Sequence, residues 1–186
     1  MSLFLTPALA LSLMTASAMV DAAQSQSTDT AASPSAAASR QAKLSQQDAS
    51  FMAEAQRSST AAIAINRMAL QQAEAPAIKA LASKVAEDHA VLAQKLKLLA
   101  QSKGKPAATE PDAAQRHDLE QLSGLQGDHF DEAWVKVQTK ACQDAVIAWS
   151  QEVANGSDQD IVNFARQTLP TLKAQLEYLQ KLPGKG

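Results

Sequence analysis

Four apolar residues seven apart, Ile78, Val85, Leu92 and Leu99, run through a stretch that contains neither glycine nor proline. Ala82, His89 and Leu96 fall beside them on the same stripe. Seven residues make about two turns of α-helix, and an alternating strand pattern has no such period. A helix with one apolar stripe has to bury it against another element. Alanine, glutamine and leucine dominate the rest of the chain, whereas glycine numbers only 6 and aromatics 4%. That balance favours more helices as the packing partners, so the chain reads as all-α.

The neighbouring segments supply those partners. Ser45, with Asp48 three places on, reads as the N-cap of a long helix running to about Ala73. Its inward face is Phe51, Ala55, Ser58, Ala62, Ile65 and Ala69, mostly small, so another helix can approach closely. Glu74-Ala75-Pro76 makes the turn into the second long helix, with Pro76 at its first position. Gly104 and Pro106 end that helix. A short helix follows, capped by Thr109 with Asp112 at its third position, and reaches about Leu122. The third long helix opens at Gly127-Asp128 and turns Phe130, Trp134, Val137, Ala141, Ala145 and Ala148 inward. Gly156 closes it and Ser157 caps the fourth, which carries Ile161, Ala165, Leu169, Leu172, Leu176 and Leu179 with a kink expected at Pro170. Two antiparallel helix hairpins joined by one long crossover with a minor helix give a ferritin-like four-helix bundle over residues 45–183.

Ahead of this domain lie two different segments. The apolar run "LFLTPALALSLMTASA" ends in Ala16-Ser17-Ala18, a small-x-small cleavage pattern, and a second cut fits after Ala23. Residues 1–23 therefore read as a secretory signal peptide, although no lysine or arginine precedes Arg40. No cysteine follows the run, which excludes a lipoprotein anchor. Residues 24–44, small, polar and aperiodic, read as a disordered linker. The expected location is exported and periplasmic, or associated with the outer membrane, with no transmembrane segment left after cleavage.

Several chemistries are excluded early. A formal net charge of -2 with scattered basic residues leaves no footprint for nucleic acid. The single cysteine, Cys142, rules out an internal disulfide and a multi-cysteine zinc site. "KVAEDHAVLAQKL" places Glu87, Asp88 and His89 side by side, but a turn takes about 3.6 residues. His89 then faces the core, Glu87 faces solvent and Asp88 lies on the flank, so the three cannot share one ion. No Glu-x-x-His pair occurs, and the reversed pairs His117-x-x-Glu120 and His129-x-x-Glu132 sit outside the middle of the bundle. His89 reads as a core histidine hydrogen-bonded to Ser58 or Ser59. Cys142 reads as a small apolar filler at a helix edge, and Trp134 and Trp149 as core and bundle-edge packing.

The segments "DASFMAEA", "IKALASKVAEDHAVLAQKL", "LSGLQGDHFDEAWVKVQ" and "FARQTLPTLKAQLEYLQ" resemble a bacterial family of exported ferritin-like bundles, domain of unknown function 4142. Phe130-Asp131 and Leu169-Pro170-x-Leu172 are the most specific parts of the resemblance. It implies the bundle fold and an envelope location, and no biochemical role. It also implies a departure: Ala62 and Ala64 stand where the family usually has carboxylates, and Cys142 and Gln175 where it has histidines. If any metal site exists, its candidates are His89, Cys142 and Gln175. An axial offset on the order of 7 Å between the last two, at about 1.5 Å per residue, argues against their meeting at one point.

The expectation is therefore a non-catalytic periplasmic bundle acting in partner binding or envelope stress tolerance, with no cofactor. A protein partner or homo-oligomer is the expected kind of contact. The alternative is a metal-binding or redox protein using His89 and Cys142. A third reading, small-molecule binding, requires a real cavity between the small-residue face of the first long helix and the fourth.

Overall fold

In the computed structural model, which describes residues 43–182, five helices and no strands are present among the described residues. They are α1 (Gln46–Gln72), α2 (Pro76–Ser102), α3 (Ala113–Ser123), α4 (Gly127–Asn155) and α5 (Gln159–Lys181). The expected signal peptide and nearly all of the expected linker lie outside the described residues. None of the described helices is long and apolar enough to cross a membrane.

The caps show which local signals prevailed. Ser45 caps α1 as expected, its hydroxyl accepting from the Asp48 N–H at 3.1 Å. Pro76 occupies the first turn of α2, where its missing N–H has no helical partner to lose. Two assignments need correction. Asp112, not Thr109, caps α3, forming a reciprocal capping box with Gln115. Asp158, not Ser157, caps α5, accepting from the Asp160 and Ile161 N–H groups. In both cases the cap is the carboxylate nearest the first turn, where helix-dipole charge adds to the hydrogen bond. α5 continues through Pro170, an exposed residue at which one ladder hydrogen bond is necessarily missing.

α1 packs along α2, α4 packs along α5, and α1 also packs on α4, with α3 lying against both of the latter. Gln56 Nε2 donates to the Leu96 carbonyl at 3.4 Å, and its Oε1 accepts from Ala108 N–H at 2.9 Å, so one buried amide ties α1 to α2 and to the crossover. At the far end of α1, the Asp131 carboxylate accepts from the N–H groups of Glu74 and Ala75 at 3.1 and 2.8 Å. Gly127 opens α4 at φ +59°, and a Cβ there would lie 3.0 Å from Glu74 Oε2. The start of α4 thus grips the α1–α2 turn, which gives the Phe130-Asp131 pair a physical role.

The inward faces differ from expectation on α4. Phe130, Trp134, Gln138, Cys142 and Trp149 are buried, whereas Ala141 is exposed and Val137, Ala145 and Ala148 are half-buried. Cys142 and Trp149 are core residues rather than edge residues, because α1, α3 and α5 enclose α4 from several sides.

The core falls into two apolar clusters. One surrounds the α1–α2 turn and includes Ile65, Ala69, Ile78, Leu122, Phe130, Trp134 and Leu179. The other lies toward the opposite end, with Phe51, Met52, Leu96, Trp149, Ile161 and Leu172. The waist between them is lined by smaller and more polar side chains.

Candidate functional site

At this waist the small residues of two helices face each other. α1 contributes Ala55, Ser58, Ala61 and Ala62, and α4 contributes Ala141, Ala145 and Ala148. Side chains this short leave a cavity of about 400 Å³. The cavity opens to solvent on the side of the exposed Ala114, His117, Lys140 and Asp144. It lies within the usual range for ligand pockets, about 300–1,000 Å³.

Phe51 and Trp149 both line this cavity and meet edge to face, with ring centroids 5.0 Å apart at 83°. Phe164 braces Trp149 from behind at 5.8 Å. Its deeper wall brings together His89 of α2, Gln138 and Cys142 of α4, and Leu172 and Gln175 of α5. The rim is charged: Glu54, Asp112, His117, Asp118, Lys140 and Asp144. Gln115 ties α3 across this rim, donating from Nε2 to Glu54 Oε1 at 3.1 Å and to Ser58 Oγ at 3.2 Å.

His89, Cys142 and Gln175 all line this one cavity. The register makes this happen. Cys142 Sγ donates to the Leu172 carbonyl at 3.3 Å, placing Gln175 one turn further along α5. Among the described residues, no group of three or more His, Cys, Asp or Glu side chains is arranged to hold a metal ion.

The expected partner of His89 is a second correction. Ser59 Oγ donates to the Ala55 carbonyl of its own helix, and Ser58 Oγ to Glu54. Serine on a helix readily turns back to the preceding turn, so neither hydroxyl crosses to α2. His89 Nδ1 is sealed from solvent with no hydrogen-bond partner. Burial pushes its pKa down to about 4, against a smaller opposing pull from Asp88. The imidazole is neutral at ordinary pH. Glu87 is exposed, and Asp88 pairs with Lys84 at 2.8 Å, as their places on the helix require.

Gln138 went unremarked in the sequence. It is 4% exposed, and its Nε2 also lacks a partner. The Cys142 thiol is raised to about 11 by burial, so it stays protonated and weakly nucleophilic. Gln138 and His89 both line the cavity, and each has one enclosed nitrogen without a partner. They provide no nucleophile–base pair.

Residues 33–182 match the family model described as domain of unknown function (DUF4142). Among solved structures, CopM in its Cu(I)-bound form is 23% identical, with a TM-score of 0.62, covering 72% of this chain and 93% of its own. A DUF305 protein from Streptomyces coelicolor gives 13% identity and a TM-score of 0.64, covering 73% of this chain and 89% of its own. A DUF305 fragment from Deinococcus radiodurans gives 14% and 0.65, covering 74% and 95%. At these identities the likeness establishes the helical fold alone. No curated protein matches the chain in sequence.

Proposed function

The chain belongs to the DUF4142 family, and from that premise we propose that it is an exported, non-catalytic, ferritin-like four-helix bundle that binds a small, largely apolar molecule at its waist. The observation that carries this reading is the cavity of about 400 Å³ whose wall holds the unpaired Gln138 and His89. An apolar chamber with a few polar groups is the usual form of a small-molecule site. Leaving such groups unpaired costs about 1–3 kcal/mol each. The high pKa of the Cys142 thiol supports a binding role over a catalytic one. Sequestering an apolar compound in the cell envelope would be consistent with a role in stress tolerance.

The reading is tested with 1-naphthol and naphthalene, following Trp149 fluorescence. Saturable binding is expected, with 1-naphthol tighter by about three- to tenfold, the worth of one net hydrogen bond. Ala145→Leu, which fills the chamber, should abolish binding while leaving the helical circular dichroism unchanged. Absence of saturable binding by either compound would refute the reading.

A second reading, metal binding, draws on the CopM structures solved with Cu(I), Cu(II) and silver. The neutral His89 imidazole has the protonation state that a metal ligand needs. Against it stand the protonated Cys142 and the weak donor Gln175, whose amide oxygen suits harder cations. Metal analysis of the domain after exposure to Cu(I) decides it: about one copper per chain, lost in His89→Leu, would establish a copper site.

A further inference from the structure

At the end of the bundle away from the α1–α2 turn, two carboxyl groups are buried together. Asp48 of α1 is 1% exposed and Glu152 of α4 is fully enclosed. Asp48 accepts from Ser45 Oγ at 2.5 Å, from Ser157 N–H at 2.8 Å and from Asp158 N–H at 3.3 Å. It is the link that holds the first turn of α1 to the α4–α5 turn. Glu152 accepts from Gln47 Nε2 at 3.0 Å through one oxygen, while its other oxygen finds no donor. Each carboxyl acts on the other, and two carboxyls can share a hydrogen bond only with a proton on one of them. The absence of a side chain at Gly156 makes space for this carboxyl, since a Cβ there would lie 2.5 Å from Glu152 Oε1.

The charged groups around this pair are few. On the α4–α5 side stand Asp158 and Asp160, both paired with Lys103 at the end of α2, at 2.8 and 2.6 Å, so one of the two negative charges is left over and Asp158 adds to the repulsion on Glu152. α1 offers only Asp48. Among the described residues none forms a salt bridge with Glu152. Two ionised carboxylates side by side without a counter-charge repel strongly in a buried setting.

We propose that Asp48 and Glu152 form a proton-operated latch: one shared proton keeps the start of α1 fastened to the α4–α5 turn, and its loss releases that end of the bundle. Two opposite shifts support the arrangement. Asp48, although burial raises it, is brought below its ordinary value by the hydrogen bonds from Ser45, Ser157, Asp158 and Glu152. Glu152 is raised to about 7, chiefly by burial and then by Asp48, with Gln47 opposing. The proton therefore resides on Glu152. Its folded-state pKa exceeds the ordinary 4.5, so the folded chain holds a proton that the unfolded chain gives up. Stability from the Glu152 proton is full below about pH 4.5 and is lost as pH rises to about 7, whereas the lowered Asp48 contributes above its ordinary 3.8 and loses its contribution as pH falls below it.

The latch is local, so the readout is local. In amide hydrogen exchange, corrected for the intrinsic effect of pH, protection of Ser157 and Asp158 should fall between about pH 4.5 and 7, by up to about tenfold per pH unit for one proton, and level off above that. The Glu74 and Ala75 amides, bonded to Asp131 at the other end, should keep theirs. In Glu152→Gln, whose amide can still donate to Asp48, protection at Ser157 and Asp158 should not change with pH. Asp48→Asn should move the transition to lower pH by removing the opposing charge. Unchanged protection in the wild-type protein across that range would overturn the proposal without recourse to any variant. So would an identical fall in Glu152→Gln, or a transition unmoved by Asp48→Asn.

Discussion

Replacing Asp131 by alanine tests whether the start of α4 really organises the α1–α2 hairpin. The side chain is 7% exposed and is the acceptor for two consecutive backbone N–H groups, at 3.1 and 2.8 Å. A hydrogen bond to a charged group contributes about 1.5–3 kcal/mol. Glu74 is exposed, so its N–H regains water when the carboxylate is removed, whereas Ala75 is half-buried and regains less. Counting one bond fully and the other in part gives a loss of about 3 kcal/mol. For a domain of this size that corresponds to a fall in Tm of about 10 °C. Thermal and urea unfolding followed by circular dichroism would measure it, with m unchanged if the native state keeps its compactness. Asp131→Asn, which retains a single acceptor oxygen, should lose about half as much. Asp144→Ala, which removes only an exposed pair with Lys140, should leave the unfolding midpoint nearly unchanged. An Asp131→Ala protein within about 1 kcal/mol of wild type would refute the idea that this carboxylate clamps the turn.

Leu96→Ala, at a fully enclosed position in the cluster away from the α1–α2 turn, should destabilise by about 2–5 kcal/mol in urea unfolding. His89→Leu should be milder, since it removes an unpaired nitrogen and fills the same wall with apolar atoms. Its pH dependence should differ as well. The folded-state pKa of about 4 lies below the ordinary 6.5, so the unfolded chain gains a proton first as pH falls. Wild type should lose stability relative to His89→Leu between pH 6.5 and 4, and parallel curves for the two would contradict a buried neutral imidazole. Glu152 has the opposite slope across much of the same window, so variant-minus-wild-type differences are the quantity to compare. Cys142 should resist alkylation at pH 8 until the protein is unfolded, because its thiol is raised to about 11 and is hydrogen-bonded to Leu172. Rapid labelling of native protein would place that thiol at an open surface.

Periodicity and punctuation were enough to read the helices. The seven-residue spacing from Ile78 to Leu99, the proline at 76 and the glycines at 104 and 156 act through local sterics, so α2 and the breaks around it follow from neighbouring residues alone. The same holds for Glu87 outward, Asp88 on the flank and the Ser45 cap. Caps were misread where two short polar residues competed, Thr109 with Asp112 and Ser157 with Asp158, since only the backbone path shows which side chain reaches the first free N–H groups. The inward face of α4 was misread for a different reason. Its alanines and its Gln138, Cys142 and Trp149 occupy adjacent arcs, and the burial of one arc over the other depends on three neighbouring helices. The cavity and the carboxyl latch lie beyond any local pattern. Each joins residues dozens of positions apart, Ser58 with Cys142 or Asp48 with Glu152, and their meeting depends on how far one helix slides along another. That axial register is set by packing across the whole core, which is a property of the assembled bundle and of no single segment.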